Sequence, residues 1–131
     1  DPTASRVYVW RKLKRLGAIL LHDSVWVLPP TPYTREQLQW LATEIQEMDG
    51  EANLWEAHRL PPGQDSDLVA QFAKQTDAAY DEILAGLVSI QTDLAALSRR
   101  YQQVKASDYF GSALGARVRE ALIEARGGRE P

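Results

Sequence analysis

The chain has 131 residues, 44% of them hydrophobic and 25% charged, and carries a formal net charge of −3. That length suits one ordinary core, and the composition excludes a disordered, collagenous or membrane-spanning chain, because no apolar run approaches the roughly eighteen residues that a bilayer demands. The lack of cysteine removes disulfides, thiolate zinc sites, iron–sulfur clusters and cysteine nucleophiles, and leaves His22 and His58 as the only imidazoles. The net charge conceals an uneven distribution. Residues 1–15 carry Arg6, Arg11, Lys12, Lys14 and Arg15 against Asp1; residues 16–98 hold three bases against thirteen acids; residues 99–131 hold seven bases against four acids. A cationic surface can therefore exist on an acidic chain, although a solvated helix face explains each basic stretch equally well. The polar N-terminus and the brief apolar cluster Ile19 to Leu21 lack the h-region of a secretory leader, so a cytoplasmic location is expected.

Asp1 as N-cap, Pro2 in the first turn and Gly17 beyond the last turn predict a helix over residues 2–16. Val9, Leu13, Leu16 and Trp10 fall within an arc of about 120°, with Arg11, Lys12, Lys14, Arg15 and Tyr8 on the other side, so the helix buries one stripe and presents a basic face. Ala18 to Leu21 and Val25 to Leu28 read as two short strands joined by His22-Asp23-Ser24 in a tight hairpin, which Pro29 and Pro30 end. Thr34 with Gln37 reads as a capping box, followed by Leu38, Leu41, Ala42, Ile45 and Met48 at helical spacing until Gly50. Ala52 to Ala57 reads as a further strand, and Arg59 to Gln64 as a linker.

Asp65 or Ser66 can cap a helix through Ala73, with Thr76 offering a second cap after a break. Tyr80, Ile83, Leu87, Ile90, Leu94, Leu97, Tyr101 and Val104 then alternate spacings of three and four, a heptad seam. The seam implies a long helix that either lies across the sheet of its own domain or packs on a second copy, with Leu84, Val88, Ala95 and Ala96 widening the stripe. Asp108 to Gly111 breaks the pattern, Ser112 caps a last helix with Leu114, Val118, Leu122 and Ile123 inward, and Gly127 to Pro131 reads as a frayed end. Residues 1–60 are thus expected to form an α/β core, with residues 61–131 as a helical extension packed on it in the same domain.

The run Arg6-Val7-Tyr8-Val9-Trp10-Arg11-Lys12-Leu13-Lys14-Arg15-Leu16-Gly17-Ala18, continuing into Asp23-Ser24-Val25-Trp26-Val27-Leu28-Pro29, resembles the N-terminal domain of the chromate-resistance regulator family ChrB. Arg99-Arg100-Tyr101 with Lys105-Ala106-Ser107-Asp108-Tyr109-Phe110 is similar to that family's later helical part, and a more distant likeness links the chain to the PaaX-type repressor domain. The resemblance implies an α+β, ferredoxin-like sheet followed by a long helix and a C-terminal helix. Helix, hairpin, helix and strand fit that order with its first, central strand missing, in which case Ala52 to Ala57 could not dock normally beside Val25 to Leu28.

The resemblance further implies a transcriptional regulator that contacts operator DNA and responds to chromate through a further C-terminal domain. Arg6, Arg11, Lys12, Lys14 and Arg15 are the residues expected to contact double-stranded DNA. Ile83, Leu87, Ile90, Leu94, Leu97 and Tyr101 are expected to serve dimer or helix packing, a homodimer being the expected state. Arg99, Arg100 and Lys105 could offer donors to an oxyanion, but no anion site is assigned to them. The second reading is a non-catalytic interaction module built on the seam and on Trp40 and Trp55. The third, a metal-dependent nuclease using Asp1 and Asp23, is weak, since two isolated carboxylates do not make a two-metal site. Neither histidine has a partner at ligand spacing, so no metal or other cofactor is expected and the chain is not read as an enzyme.

Overall fold

A computed structural model of the chain describes residues 2–60 and 65–127. The fold is α+β, with helices α1 (Pro2–Leu16), α2 (Pro32–Glu47), α3 (Ser66–Leu87), α4 (Leu94–Ala106) and α5 (Ala113–Ala125) and the strands β1 (Ile19–His22) and β2 (Val25–Val27) between α1 and α2. The chain divides into two compact units, Asp1–Asp65 and Ser66–Pro131. The cap expected at Asp1, most of the expected linker and the expected frayed end from Gly128 onward lie outside the described residues.

In the first unit, α1 begins at Pro2 and ends as its sequence predicts. Gly17 takes a left-handed φ of 82°, its N–H donates to Lys14 O at 3.1 Å, and the N–H of Ala18 donates to Leu13 O at 3.0 Å. That pair of bonds is the Schellman motif, and buried Ala18 packs against Leu13 as the motif requires. The hairpin pairs Ile19 with Val27 and Leu20 with Trp26, then shifts register before His22 pairs with Val25. Asp23 occupies the turn at φ 50°, where an aspartate tolerates the left-handed region. Leu13, Ala18 and Leu41 form the core of this unit, with Val9, Trp26, Leu28, Leu38 and Ile45 against it.

Three expectations for this unit need correction. The N-cap of α2 is Thr31, whose hydroxyl accepts the N–H of Thr34 at 3.1 Å while the Thr34 hydroxyl accepts the N–H of Thr31 at 3.0 Å. The box therefore lies one turn earlier than Thr34–Gln37, because Pro32 presets the first turn and a threonine at the third position reaches back as a glutamate would. At the other end Asp49, not Gly50, takes the left-handed conformation (φ 64°), and Gly50 follows it with its N–H on Ile45 O at 2.9 Å. Ala52 to Ala57 forms no strand. Its alternation is false: Ala52, Leu54 and Glu56 would share one face and Asn53, Trp55 and Ala57 the other, so neither is uniformly apolar. Glu56 instead pairs with Arg35 of α2, Nε to Oε1 at 2.8 Å. The described residues thus form a two-stranded sheet.

The second unit is a three-helix assembly. α3 runs unbroken through Thr76, whose hydroxyl donates back to Phe72 O at 2.9 Å rather than capping a new helix. The long seam helix is interrupted at residues 88–93, where Thr92 Oγ1 donates to Ser89 O at 2.8 Å and Asp93 caps α4 by accepting the N–H of Ala96 at 3.1 Å. The two halves of the seam then meet in one core: Tyr80 and Ile83 from α3, Tyr101 and Val104 from α4, and Val118 and Leu122 from α5. The partner that the seam demands is its own second half together with α5, and not a sheet. Ser112 caps α5 as expected, accepting the N–H of Leu114 at 3.1 Å. Gly115 is buried where α5 crosses α3, and a Cβ there would stand 3.0 Å from the Tyr80 hydroxyl.

Candidate nucleic-acid interface

Helix α1 contains five bases and no acid. Arg6, Arg11, Lys14 and Arg15 are exposed, and Lys12 is half-buried with its ammonium 5.9 Å from the centre of the Tyr8 ring. None of the five is ion-paired among the described residues. α1 packs on α2 through Leu13, Val9 and their neighbours, and the Tyr8 hydroxyl donates to Glu44 of α2. That bond holds the Tyr8 phenol above its ordinary pKa. Arg11, Lys14 and Arg15 therefore share an unpaired face opposite the stripe that α1 buries in the core, with Arg6 and Lys12 at its two borders.

One aromatic residue belongs to this surface although its spacing suggested burial. Trp10 is 53% exposed, because it stands about 90° from the centre of the Val9–Leu13–Leu16 stripe, which is too narrow to include it. It sits on the helix between Arg6 and Lys14, so the face combines cationic groups with an indole. A stripe drawn on leucine and valine alone would have found it.

A second acid-free helix is α4, with Arg99, Arg100 and Lys105 exposed. Arg100 Nη1 lies 3.5 Å from Gln103 Oε1, and Lys105 Nζ lies 6.0 Å from the centre of the Tyr101 ring. The residues expected to pack helices or a dimer divide: Ile83 and Tyr101 are buried inside the second unit, Leu87, Leu94 and Leu97 are partly buried there, and Ile90 is fully exposed in the interruption. Trp40 and Trp55 are exposed, Trp55 at 88%.

Asp108 is fastened at the start of α5. Its carboxylate accepts the Tyr80 hydroxyl at 3.0 Å and the N–H of Ser112 at 3.0 Å, while the Ser112 hydroxyl donates to Asp77. Burial above all, then the bond to Asp108, pushes the Tyr80 phenol well above its ordinary range. A cavity of about 140 Å3 lies beside this lock, lined by Phe72, Asp77, Asp108 and Phe110 among others. Asp77, Asp108 and Ser112 in its lining are engaged at the start of α5, and the Thr76 hydroxyl bonds Phe72 O within α3. Asp23 and His22 are exposed neighbours in the hairpin, Nδ1 to Oδ2 at 3.5 Å, and His58 lies exposed in the irregular segment after α2. Among the described residues no three His, Asp or Glu side chains converge as a metal site, and no helix is long and apolar enough to cross a membrane. Asp1 lies outside the described residues.

The family model for the N-terminal part of protein ChrB matches residues 6–96. The chain belongs to the ChrB family. It is 31% identical over 93 residues to Protein ChrB of Cupriavidus metallidurans, a match that covers 71% of this chain and 28% of that relative. The chain therefore spans little more than a quarter of the length of the ChrB protein it matches. No solved structure matches. The family match contains all of the α1 base cluster and the hairpin, and it ends as α4 begins.

Proposed function

We propose that this chain is the DNA-contacting part of a chromate-resistance transcriptional regulator, with α1 lying against the phosphates of operator DNA. The observation that carries this reading is the unpaired base cluster of α1, to which no acid of the described residues is committed. Each lysine or arginine that neutralises a phosphate releases counterions, so such a face gives affinity that falls steeply with salt. The acidic middle of the chain, residues 16–98, leaves the contact to α1 and to the basic stretch that begins at Arg99, and a symmetric dimer would present α1 twice. In this reading the protein acts in the cytoplasm, needs no cofactor and catalyses nothing. The ferredoxin-like architecture is part of the same proposal: α1, the hairpin and α2 follow in the order that fold requires, and the open edges of a two-stranded sheet are where further strands would add.

Charge reversal tests the reading. Arg11→Glu with Arg15→Glu, both exposed, should abolish binding to the DNA upstream of the protein's own coding region without changing the circular dichroism. Unaltered binding of the double variant at physiological salt would reduce α1 to a solvated face. A second reading, a dimerisation or protein-docking module, is favoured by the exposed Trp40, Leu54 and Trp55. Sedimentation analysis separates the two, since a dimer that ignores DNA even at low salt supports only the second.

A further inference from the structure

Helix α4 has a partition of side chains that its packing role does not explain. Leu94, Leu97, Ser98, Tyr101 and Val104 face the three-helix core to varying depth, and every other residue from Ala95 to Ala106 except Ala96 is exposed. At about 100° per residue, Ala95, Arg99, Gln102, Gln103 and Ala106 fall in one outer row about 100° wide, centred about 150° from the middle of the buried stripe. Arg100 lies about 110° from its centre on one side; Lys105 lies as far away on the other, within the arc of Leu94 and Ser98, and is exposed because it stands in the last turn of the helix. The helix has no acid. Arg126, at the end of α5, adds another base on the Lys105 side by donating from Nη2 to Ser98 Oγ at 2.7 Å.

Each part of this arrangement has a counterpart in duplex DNA. The major groove is about 12 Å wide and accepts a helix of about 10–12 Å diameter. Arginine pairs in bidentate fashion with guanine O6 and N7, and glutamine with adenine N6 and N7. The small side chains of Ala95 and Ala106 at the two ends of the row let the backbone approach the base edges, Arg100 stands beside one phosphate wall of the groove, and the long Lys105 side chain at the end of the helix can reach the backbone on the other side. Charge complementarity and the amide pair together favour duplex DNA over an acidic protein partner, for which neighbouring glutamines offer no advantage.

We infer that α4 is a base-reading helix, in which Arg99, Gln102 and Gln103 enter the major groove while Arg100 and Lys105 hold the flanking phosphates. This rests on the proposed DNA-binding function and deepens it: α1 would supply sequence-independent affinity and α4 the sequence preference. The assignment concerns a helix of which only the first three residues, Leu94 to Ala96, lie within the family match.

The test is fluorescence anisotropy of the full chain on two duplexes, the DNA upstream of its own coding region and a scrambled sequence of equal length and composition, each at several salt concentrations. Wild type should prefer the upstream duplex. The triple variant R99A/Q102A/Q103A should lose that preference, by about tenfold or more, with affinity for the scrambled duplex falling only by the share of one charge. Arg99→Lys should weaken the preference while leaving the salt dependence unchanged, because it keeps the charge and loses the fork. R11E/R15E should instead weaken binding to both duplexes alike. The inference is overturned if wild type binds both duplexes equally, or if the triple variant keeps its preference or loses affinity equally for both. Binding that survives those outcomes leaves the α1 reading standing, whereas a wild type that binds neither duplex at low salt removes both.

Discussion

Replacing Tyr80 with phenylalanine should weaken the second unit at neutral pH and make it less sensitive to alkali. Tyr80 is 1% exposed, and its hydroxyl donates to the Asp108 carboxylate at 3.0 Å. A hydrogen bond to a charged acceptor contributes about 1.5–3 kcal/mol, and Asp108 keeps its bond from Ser112, so a loss near the lower limit, about 1.5 kcal/mol, is expected at neutral pH. The raised pKa of the phenol, caused first by burial and then by that bond, sets the alkaline behaviour. A folded-state pKa above the unfolded value means that the stabilisation is complete below about pH 10 and is lost as the pH climbs from there toward the folded-state value. One proton is involved, so the loss proceeds at about 1.4 kcal/mol per pH unit, and the advantage of wild type over Tyr80→Phe should vanish near about pH 11. Urea denaturation followed by far-ultraviolet circular dichroism over this range reads both effects. All four tryptophans, Trp10, Trp26, Trp40 and Trp55, lie in the first unit, so their fluorescence serves as an internal control that the substitution should leave unchanged. Stability curves of the two proteins that stay parallel from neutral pH to about pH 11 would refute the argument.

The folded-back seam predicts that its positions are unequal. Ile83→Ala should cost about 2–5 kcal/mol by leaving a cavity in the three-helix core, whereas Ile90→Ala, fully exposed, should change stability by less than about 0.5 kcal/mol in urea melts. Equal costs would restore a continuous helix with a shared seam. Thr34→Ala removes a buried hydroxyl that joins Thr31 to the carbonyl of Pro29, and should cost about 1–2 kcal/mol, read by tryptophan fluorescence in the first unit. A neutral effect would show that the cap contributes nothing.

Helix α1, the hairpin and the start of α5 were legible in the sequence because each carries local signals that reinforce one another. Gly17, the turn around Asp23 and Ser112 punctuate the chain where the apolar pattern also changes. The seam reads as one helix in the sequence because residues 88–93 preserve the spacing of three and four by count alone. Ser89, Thr92 and Asp93 were the contrary signals, side chains that bond their own backbone in preference to continuing a helix. Thr76 carried the same ambiguity and resolved the other way, since its hydroxyl can return to the carbonyl one turn back without breaking α3. The strand assigned to Ala52–Ala57 failed for want of a uniform face. At the candidate site the five bases of α1 were evident from charge alone. The exposure of Trp10 is not legible from the arc alone, because a helical arc of that width admits either a buried or an exposed indole, and only the narrowness of the leucine stripe decides. The outer row of α4 needed the fold, because a heptad reading of Leu94, Leu97, Tyr101 and Val104 gives no reason to ask what the opposite face is for.

The salt dependence of DNA binding by the unaltered chain tests the central claim most directly. If α1 engages phosphates through its four exposed bases, the logarithm of the affinity should fall against the logarithm of salt concentration with a slope of about −3.6 or steeper, at about −0.9 per neutralised phosphate. A slope near zero, or no binding to the upstream duplex at low salt, would contradict the assignment of this helix to DNA.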